Sequence, residues 1–279
     1  MSESAAEQWA HWLTRQRDQH VGAARAAASL SGIRDRVLAG SRIQPGDRVL
    51  DLGAGTGLLA REAVEFVGPE GSVVAVDIST SALATLPESV HAVAGSATQI
   101  PLRDASVDQV LIRSVLIYIE DLNAAAREIT RVLRPGGSLS LFEPINAQRF
   151  HDAGVRGFTE QQLAELADAQ KRGSGSARTM LAFSSWRLRE ALLDACLCID
   201  HAVTELHEER LEGEEAAAGY LERRGHAGAF TVLEQVEALW GSEAADRYRD
   251  AWLRAAREQG VITFFTPTLY LLASKPPRP

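Results

Sequence analysis

The run Val49-Leu50-Asp51-Leu52-Gly53-Ala54-Gly55-Thr56-Gly57 constrains this chain more than any other stretch. Apolar residues lead into a turn with glycine at every second position. Helical spacing follows, with Leu58, Leu59, Ala63, Val64 and Val67 on one face before a Gly68-Pro69 stop. A buried strand at 48–52 and a helix at 57–67 are therefore predicted around a sharp turn. Gly53 and Gly55 let the backbone bend and let a ligand come close, while the helix start offers free N–H groups and a positive dipole end. A second apolar run, Val73-Val74-Ala75-Val76, ends in Asp77. An acidic side chain at the tip of the next strand is placed to accept from both hydroxyls of a ribose. Because Asp77 precedes Ser79 and a predicted helix at 80–86, an N-cap role is the alternative.

The third glycine comes one residue early for the dinucleotide spacing G-x-G-x-x-G, which disfavours a nicotinamide dehydrogenase. With Asp51 two places before the first glycine, the D-x-G-x-G-x-G form resembles motif I of the class I S-adenosylmethionine (SAM) methyltransferases. Leu133-Arg134-Pro135-Gly136-Gly137, leading into Ser138-Leu139-Ser140-Leu141-Phe142, resembles the entry to the fifth strand of the same enzymes. The resemblance runs from residue 43 to 145 and is to the small-molecule, ubiquinone/menaquinone-biosynthesis-like (type 11/25) group. It implies SAM as cofactor, with no metal. Asp51, Gly53, Ala54, Gly55, Thr56 and Gly57 would hold its methionine part, and Asp77 with Ile78 its ribose side. Ser96, Ala97 and Thr98 would lie beside the adenine, and Arg113 would open the loop between cofactor and substrate. Ser96 stands where the family usually has aspartate, so it keeps an acceptor without charge assistance.

Strand and helix alternate along the core, which predicts an α/β fold. The family pattern makes it a seven-stranded, Rossmann-like, mostly parallel sheet with helices on both faces. Strands are expected near 48–52, 73–77, 90–93, 108–112 and 138–142, with helices at 57–67, 80–86 and 122–133. Residues 1–42, with Trp9, Trp12 and Leu13 on one face, read as an N-terminal helical cover. By the same resemblance, residues 43–145 would form the SAM-binding core, 146–183 a lid insertion and 184–212 the continued core. Residues 213–260 would form a helical substrate or lid insertion, and 261–279 the final strand and tail. Stripes such as Val232, Leu233, Val236, Leu239 and Trp240, or Ala245, Tyr248, Trp252 and Ala256, suggest a hydrophobic substrate chamber. The segment Lys171–Ser176 reads as a flexible connection.

The charge of −8 with no Lys/Arg track argues against nucleic acid, and no apolar stretch reaches membrane-span length. No secretory signal is visible, so a cytoplasmic protein, monomer or homodimer, is expected. Cys196 and Cys198 complete no zinc pattern and read as buried structural thiols. The expected activity is transfer of a methyl group from SAM to a small hydrophobic metabolite at O, N or C. The alternatives are a methyltransferase-fold enzyme using SAM for cyclisation or elimination, and a non-catalytic SAM-binding module. For a general base, Glu143, Tyr118 and His151 fall on loops at the ligand-binding edge, Glu143 directly where the fifth strand ends. Asp152 shares that loop region, and His91 reads as structural.

Overall fold

The computed structural model describes residues 23–171, 176–224 and 230–277. Much of the expected N-terminal cover, including Trp9, Trp12 and Leu13, therefore lies outside the described residues. So does the middle of the Lys171–Ser176 segment. The chain forms two compact units interleaved along the sequence. One takes the chain through Pro144, then Phe183–Glu205 and Thr268 onward; the other takes Ile145–Ala182 and Leu206–Pro267.

The first unit is built on a mostly parallel sheet. Its strands are β1 (Arg48–Leu52), β2 (Ser72–Asp77), β3 (Val90–Ala94), β4 (Val107–Arg113) and β5 (Leu133–Pro144). They lie in the order β3-β2-β1-β4-β5, each pair parallel. The end of β8 (Val261–Ser274) runs antiparallel beside β5, and β7 (Cys198–Glu212) pairs with β8. Central strands of such a sheet are buried on both faces, which is why Val49, Leu50, Leu52, Val110, Leu111 and Ile112 form near-continuous apolar runs. Val49, Val73, Ala75 and Leu111 pack against Ile33, Val37 and Leu38 of α1 (Ala23–Ser41) and Leu59, Ala60, Ala63 and Val67 around α2 (Ala60–Val67). Alternation along each strand sends Leu50, Leu52, Val110 and Ile112 to the opposite face.

Several boundaries differ from the sequence expectation for local reasons. The helix after the glycine turn starts at Ala60, because residues 53–59 are spent on the turn itself. α3 is only Thr80–Leu83. β5 begins at Leu133, which pairs with Val107; the register then shifts so that Ser138 meets Gln109, and the Arg134–Gly137 segment becomes an irregularity within the strand rather than a free turn. Gly137 is needed there, since a Cβ would sit 2.7 Å from the Asp108 carbonyl oxygen. Cys196 and Cys198 are exposed and free rather than buried. Cys196 ends the turn after α7 (Ser185–Asp194) in a left-handed conformation, φ +64°, and neither thiol enters the core.

α4 (Leu122–Val132) carries a side-chain network that ties down the loop between β3 and β4. Arg131 donates to the carbonyls of Ile100 and Leu102 and to Asp104 and Glu128, and Glu128 accepts from the Ile100 amide. Replacing Arg131 with methionine keeps the stem and removes the charged fork, and should cost on the order of 2 kcal/mol. Urea unfolding would measure it; an unchanged midpoint would refute the assignment.

The second unit holds β6 (Phe150–His151), which pairs with Phe264 and Phe265 of β8 and brings the strands among the described residues to eight. It also holds α5 (Glu160–Lys171), α6 (Ser176–Ala182), α8 (Gly213–Glu222), α9 (Val232–Trp240) and α10 (Ser242–Gln259). The apolar stripes of α9 and α10 meet each other. Val236, Tyr248, Trp252 and Ala256 are buried with Leu221, Ile262 and Phe264, and Val232, Leu233, Leu239 and Trp240 pack around them. These stripes are thus the core of the second unit, correcting their reading as the lining of a substrate chamber. Among the described residues no helix is long and apolar enough to cross a membrane.

Candidate cofactor site

The carboxyl ends of β1, β2 and β4 bring Asp51, Asp77 and Arg113 to one edge of the sheet. The glycine turn between β1 and α2 has Gly53, Gly55 and Gly57 all at positive φ (72°, 53° and 83°), where L side chains are strained. Their surroundings differ. A Cβ on Gly53 would lie 2.2 Å from a Val115 methyl carbon, and one on Gly57 2.3 Å from a Leu86 methyl carbon. A Cβ on Gly55 would meet nothing within 4 Å. Gly53 is therefore required by packing against the β-branched Val115, Gly57 meets the movable end of a leucine, and Gly55 leaves bare backbone facing open space. Ala54 is buried in the α1–α2 core, and Thr56 is exposed.

Asp77 is 7 % exposed and accepts from the Gly55 amide through Oδ2 and from the Ser79 amide through Oδ1, each at 2.8 Å. Ser79, not Asp77, is the N-cap of α3, its hydroxyl accepting from the Ala82 amide. The N-cap alternative for Asp77 is thereby corrected. Each carboxylate oxygen keeps a lone pair, the inventory that a vicinal diol needs. Ile78, next along, is 54 % exposed although apolar. In the following loop Ala97 is buried while Ser96 and Thr98 are half-buried. The Ser96 hydroxyl lies 2.9 Å from that of Thr98 and accepts from the Thr98 amide, so its first partners are local.

Asp51 is 2 % exposed and accepts from the Ala60 amide at 2.8 Å, holding the start of α2. Burial pushes its carboxyl up to about 7, against the pull of that amide and of Arg113, while Asp77 adds repulsion. A buried carboxylate in this state gains from a cation brought beside it.

Glu143, at the end of β5, is 0 % exposed and accepts from three consecutive amides, Val115 (3.0 Å), Leu116 (2.8 Å) and Ile117 (3.4 Å). Burial pushes it up to about 7, although these bonds and Arg113 oppose the shift. Its oxygens are thus engaged with the amides of the turn after β4. Tyr118 closes the 3₁₀ turn Leu116–Tyr118 on that loop and is half-buried. His151 belongs to the second unit, where its ring meets Trp252 edge-on at 4.9 Å and Phe264 at 5.3 Å, and its Nδ1 accepts from the Ala153 amide. Asp152 pairs with Thr263 across the sheet edge, accepting its amide through Oδ1. His91 is an exposed residue of β3. The structure thus gathers Asp51, the glycine turn, Asp77, Ile78 and Arg113 at one edge of the first unit's sheet. Sequence reasoning missed Val115 as the wall against Gly53 and the Glu143 clasp. Only the Glu-Pro pair closing β5 hinted at the latter.

Residues 50–141 match the family described as "Methyltransferase domain". Over 110 residues the chain is 44 % identical to the demethylmenaquinone methyltransferase of Mycobacterium marinum, covering 38 % of this chain and 46 % of that one. Over 112 residues it is 37 % identical to the ubiquinone/menaquinone biosynthesis C-methyltransferase UbiE of Vibrio campbellii, covering 37 % and 43 %. The chain thus spans less than half the length of these curated relatives. Among solved structures, the fold is similar to that of the [4+2]-cyclase SpnF (TM-score 0.53, 20 % identity, 94 % of this chain and 86 % of that one). It is also similar to that of a phosphoethanolamine N-methyltransferase of Haemonchus contortus (TM-score 0.52, 18 % identity, 99 % and 61 %).

Proposed function

We propose, from the premise that the core of this chain belongs to the class I SAM-dependent methyltransferases, that the protein transfers a methyl group from SAM to a small acceptor. The observation that carries this reading is the contrast within the glycine turn: only Gly55 faces open space, and Asp77, bonded to its amide, retains acceptors beside it. Asp77 would grip the ribose hydroxyls, and exposed Ile78 offers an apolar face to the adenine. Ser96 and Thr98 would supply hydroxyls at the base, and Ala97 close packing. Asp51, with the backbone of Gly53–Gly57, would receive the methionine ammonium, whose charge suits a buried carboxylate. Arg113, drawn electrostatically to both Asp51 and Glu143, suits the methionine carboxylate. The bound cofactor supplies a methyl group made electrophilic by its sulfonium. The chain's own share is alignment and exclusion of water.

The two curated relatives are named for demethylmenaquinone and for ubiquinone/menaquinone biosynthesis, and a phenolic or quinone-like ring carbon is the acceptor class we favour. An electron-rich ring needs less help from a protein base than an alcohol does, which accords with Glu143 being committed to the turn. The fold shared with a cyclase keeps a second outcome in the test. Incubation with labelled SAM and a demethylmenaquinone analogue, read by mass spectrometry, should show a gain of one methylene. A product of unchanged mass would favour cyclisation, and calorimetry showing no binding of SAM or S-adenosylhomocysteine would overturn the proposal. Asp77→Asn should weaken S-adenosylhomocysteine binding by about 1–3 kcal/mol. Equal affinity would remove the ribose role and leave Asp77 a turn residue.

A further inference from the structure

We infer that Glu143 is a positioning residue that clamps the turn after β4 and, through Val115, fixes the first glycine of the cofactor turn. This inference rests on the cofactor reading above. Ser114 adopts φ +55° without being glycine, a conformation that persists only where its surroundings enforce it. Two neighbouring residues of β5 do so. The Phe142 carbonyl accepts from the Ser114 amide at 2.9 Å, and the Glu143 carboxylate accepts from the next three amides. The turn so held presents the Val115 methyls to Gly53, within 2.2–2.7 Å of where a Cβ would stand. Any relaxation of residues 114–117 therefore withdraws the wall against which Gly53 is seated.

An ionised carboxylate meets this requirement because it only accepts. A protonated acid or an amide turns one of its acceptor positions into a donor facing N–H groups. The charged group acting on Glu143 is Arg113 on β4, which also acts on Asp51 at the end of β1; Tyr118 lies on the turn itself. From β8, its antiparallel neighbour, Leu269 stands opposite Glu143. Tyr270 stands opposite Phe142, under the Arg36 guanidinium from α1.

The test is calorimetric titration of S-adenosylhomocysteine into the wild type, Glu143→Gln and Val115→Ala from about pH 5.5 to 8.5, with unfolding midpoints taken alongside. At the alkaline end Glu143→Gln should bind at least about fivefold more weakly than the wild type while still folding cooperatively. The gap should close to within about twofold at the acid end, where the wild-type side chain is itself neutral. Asp51 titrates in both proteins, so only the part of the pH dependence that differs between them is assigned to Glu143. Val115→Ala should weaken binding about threefold or more at every pH, by loosening the seat of Gly53. A ratio that does not vary with pH, or wild-type affinity in Glu143→Gln at the alkaline end, overturns the inference. Should Glu143→Gln fail to fold, unchanged affinity in Val115→Ala overturns it. A wild type that binds no S-adenosylhomocysteine overturns the cofactor reading, and this inference falls with it.

Discussion

Gly53→Ala is expected to destabilise the protein by about 2–5 kcal/mol and to abolish cofactor binding, whereas Gly55→Ala should spare the fold and lose the ligand. Both residues sit at positive φ, where a Cβ costs about 1–2 kcal/mol. At Gly53 the new methyl also collides with Val115 at 2.2 Å, and relieving that overlap adds about 1–3 kcal/mol. At Gly55 the methyl meets no protein atom and instead fills the space in front of the turn. Urea unfolding paired with calorimetry separates the two effects. Equal loss of stability in both variants would show that packing alone explains the glycines, and full binding by Gly55→Ala would remove the turn from the cofactor site.

The second large effect is on pH dependence, where stability and binding should move in opposite directions. Asp51 and Glu143 have folded pKa values of about 7, against ordinary values of 3.8 and 4.5. The folded state therefore holds more protons than the unfolded chain between those limits. Stability from these groups is fully present below their unfolded values and is lost as pH rises through about 7. Each loss amounts to at most about 4 kcal/mol. Other carboxylates slope the opposite way; Glu128, hydrogen-bonded to Arg131, is held low. The useful measurement is thus the difference between the wild type and Asp51→Asn, which should grow between about pH 4 and 7 in favour of the variant and level off above. Cofactor binding reverses the sign, because an ammonium beside Asp51 favours its ionised form. Below pH 7 binding should release a proton and weaken by up to about tenfold per pH unit. The proton release appears as a dependence of the calorimetric enthalpy on the buffer. Binding without it would remove Asp51 from the ammonium role.

What the sequence disclosed and what it hid divide along chain separation. The glycine turn, the β1–turn–α2 order and Asp77 at the tip of β2 were legible because spacing over a few dozen residues carries them. The Glu143 clasp was not, because its three donors lie on another strand's loop and no local pattern marks a carboxylate that will be buried. Ser79 as N-cap of α3 was overlooked in favour of the more conspicuous Asp77 two residues before it. The apolar stripes of α9 and α10 were recognised as buried faces, but periodicity says only that a face is covered, not by what; their partners proved to be each other. Cys196 and Cys198 showed the same limit. Composition suggests burial for cysteine, whereas the turn after α7 leaves Cys196 exposed and the first residue of β7 leaves Cys198 so.

The position of β8 has a consequence for how the molecule is made. Its last half covers the open edge of β5, from Ser138 opposite Ser274 to Pro144 opposite Thr268, yet it comes at the far end of the described chain. During synthesis β1 to β5 emerge first, and the edge of β5 away from β4 must wait with its hydrogen-bonding groups unpaired until β8 has left the ribosome. The sheet is thus completed by its final strand, and the newborn protein passes through a stage in which another chain's strand can occupy that place.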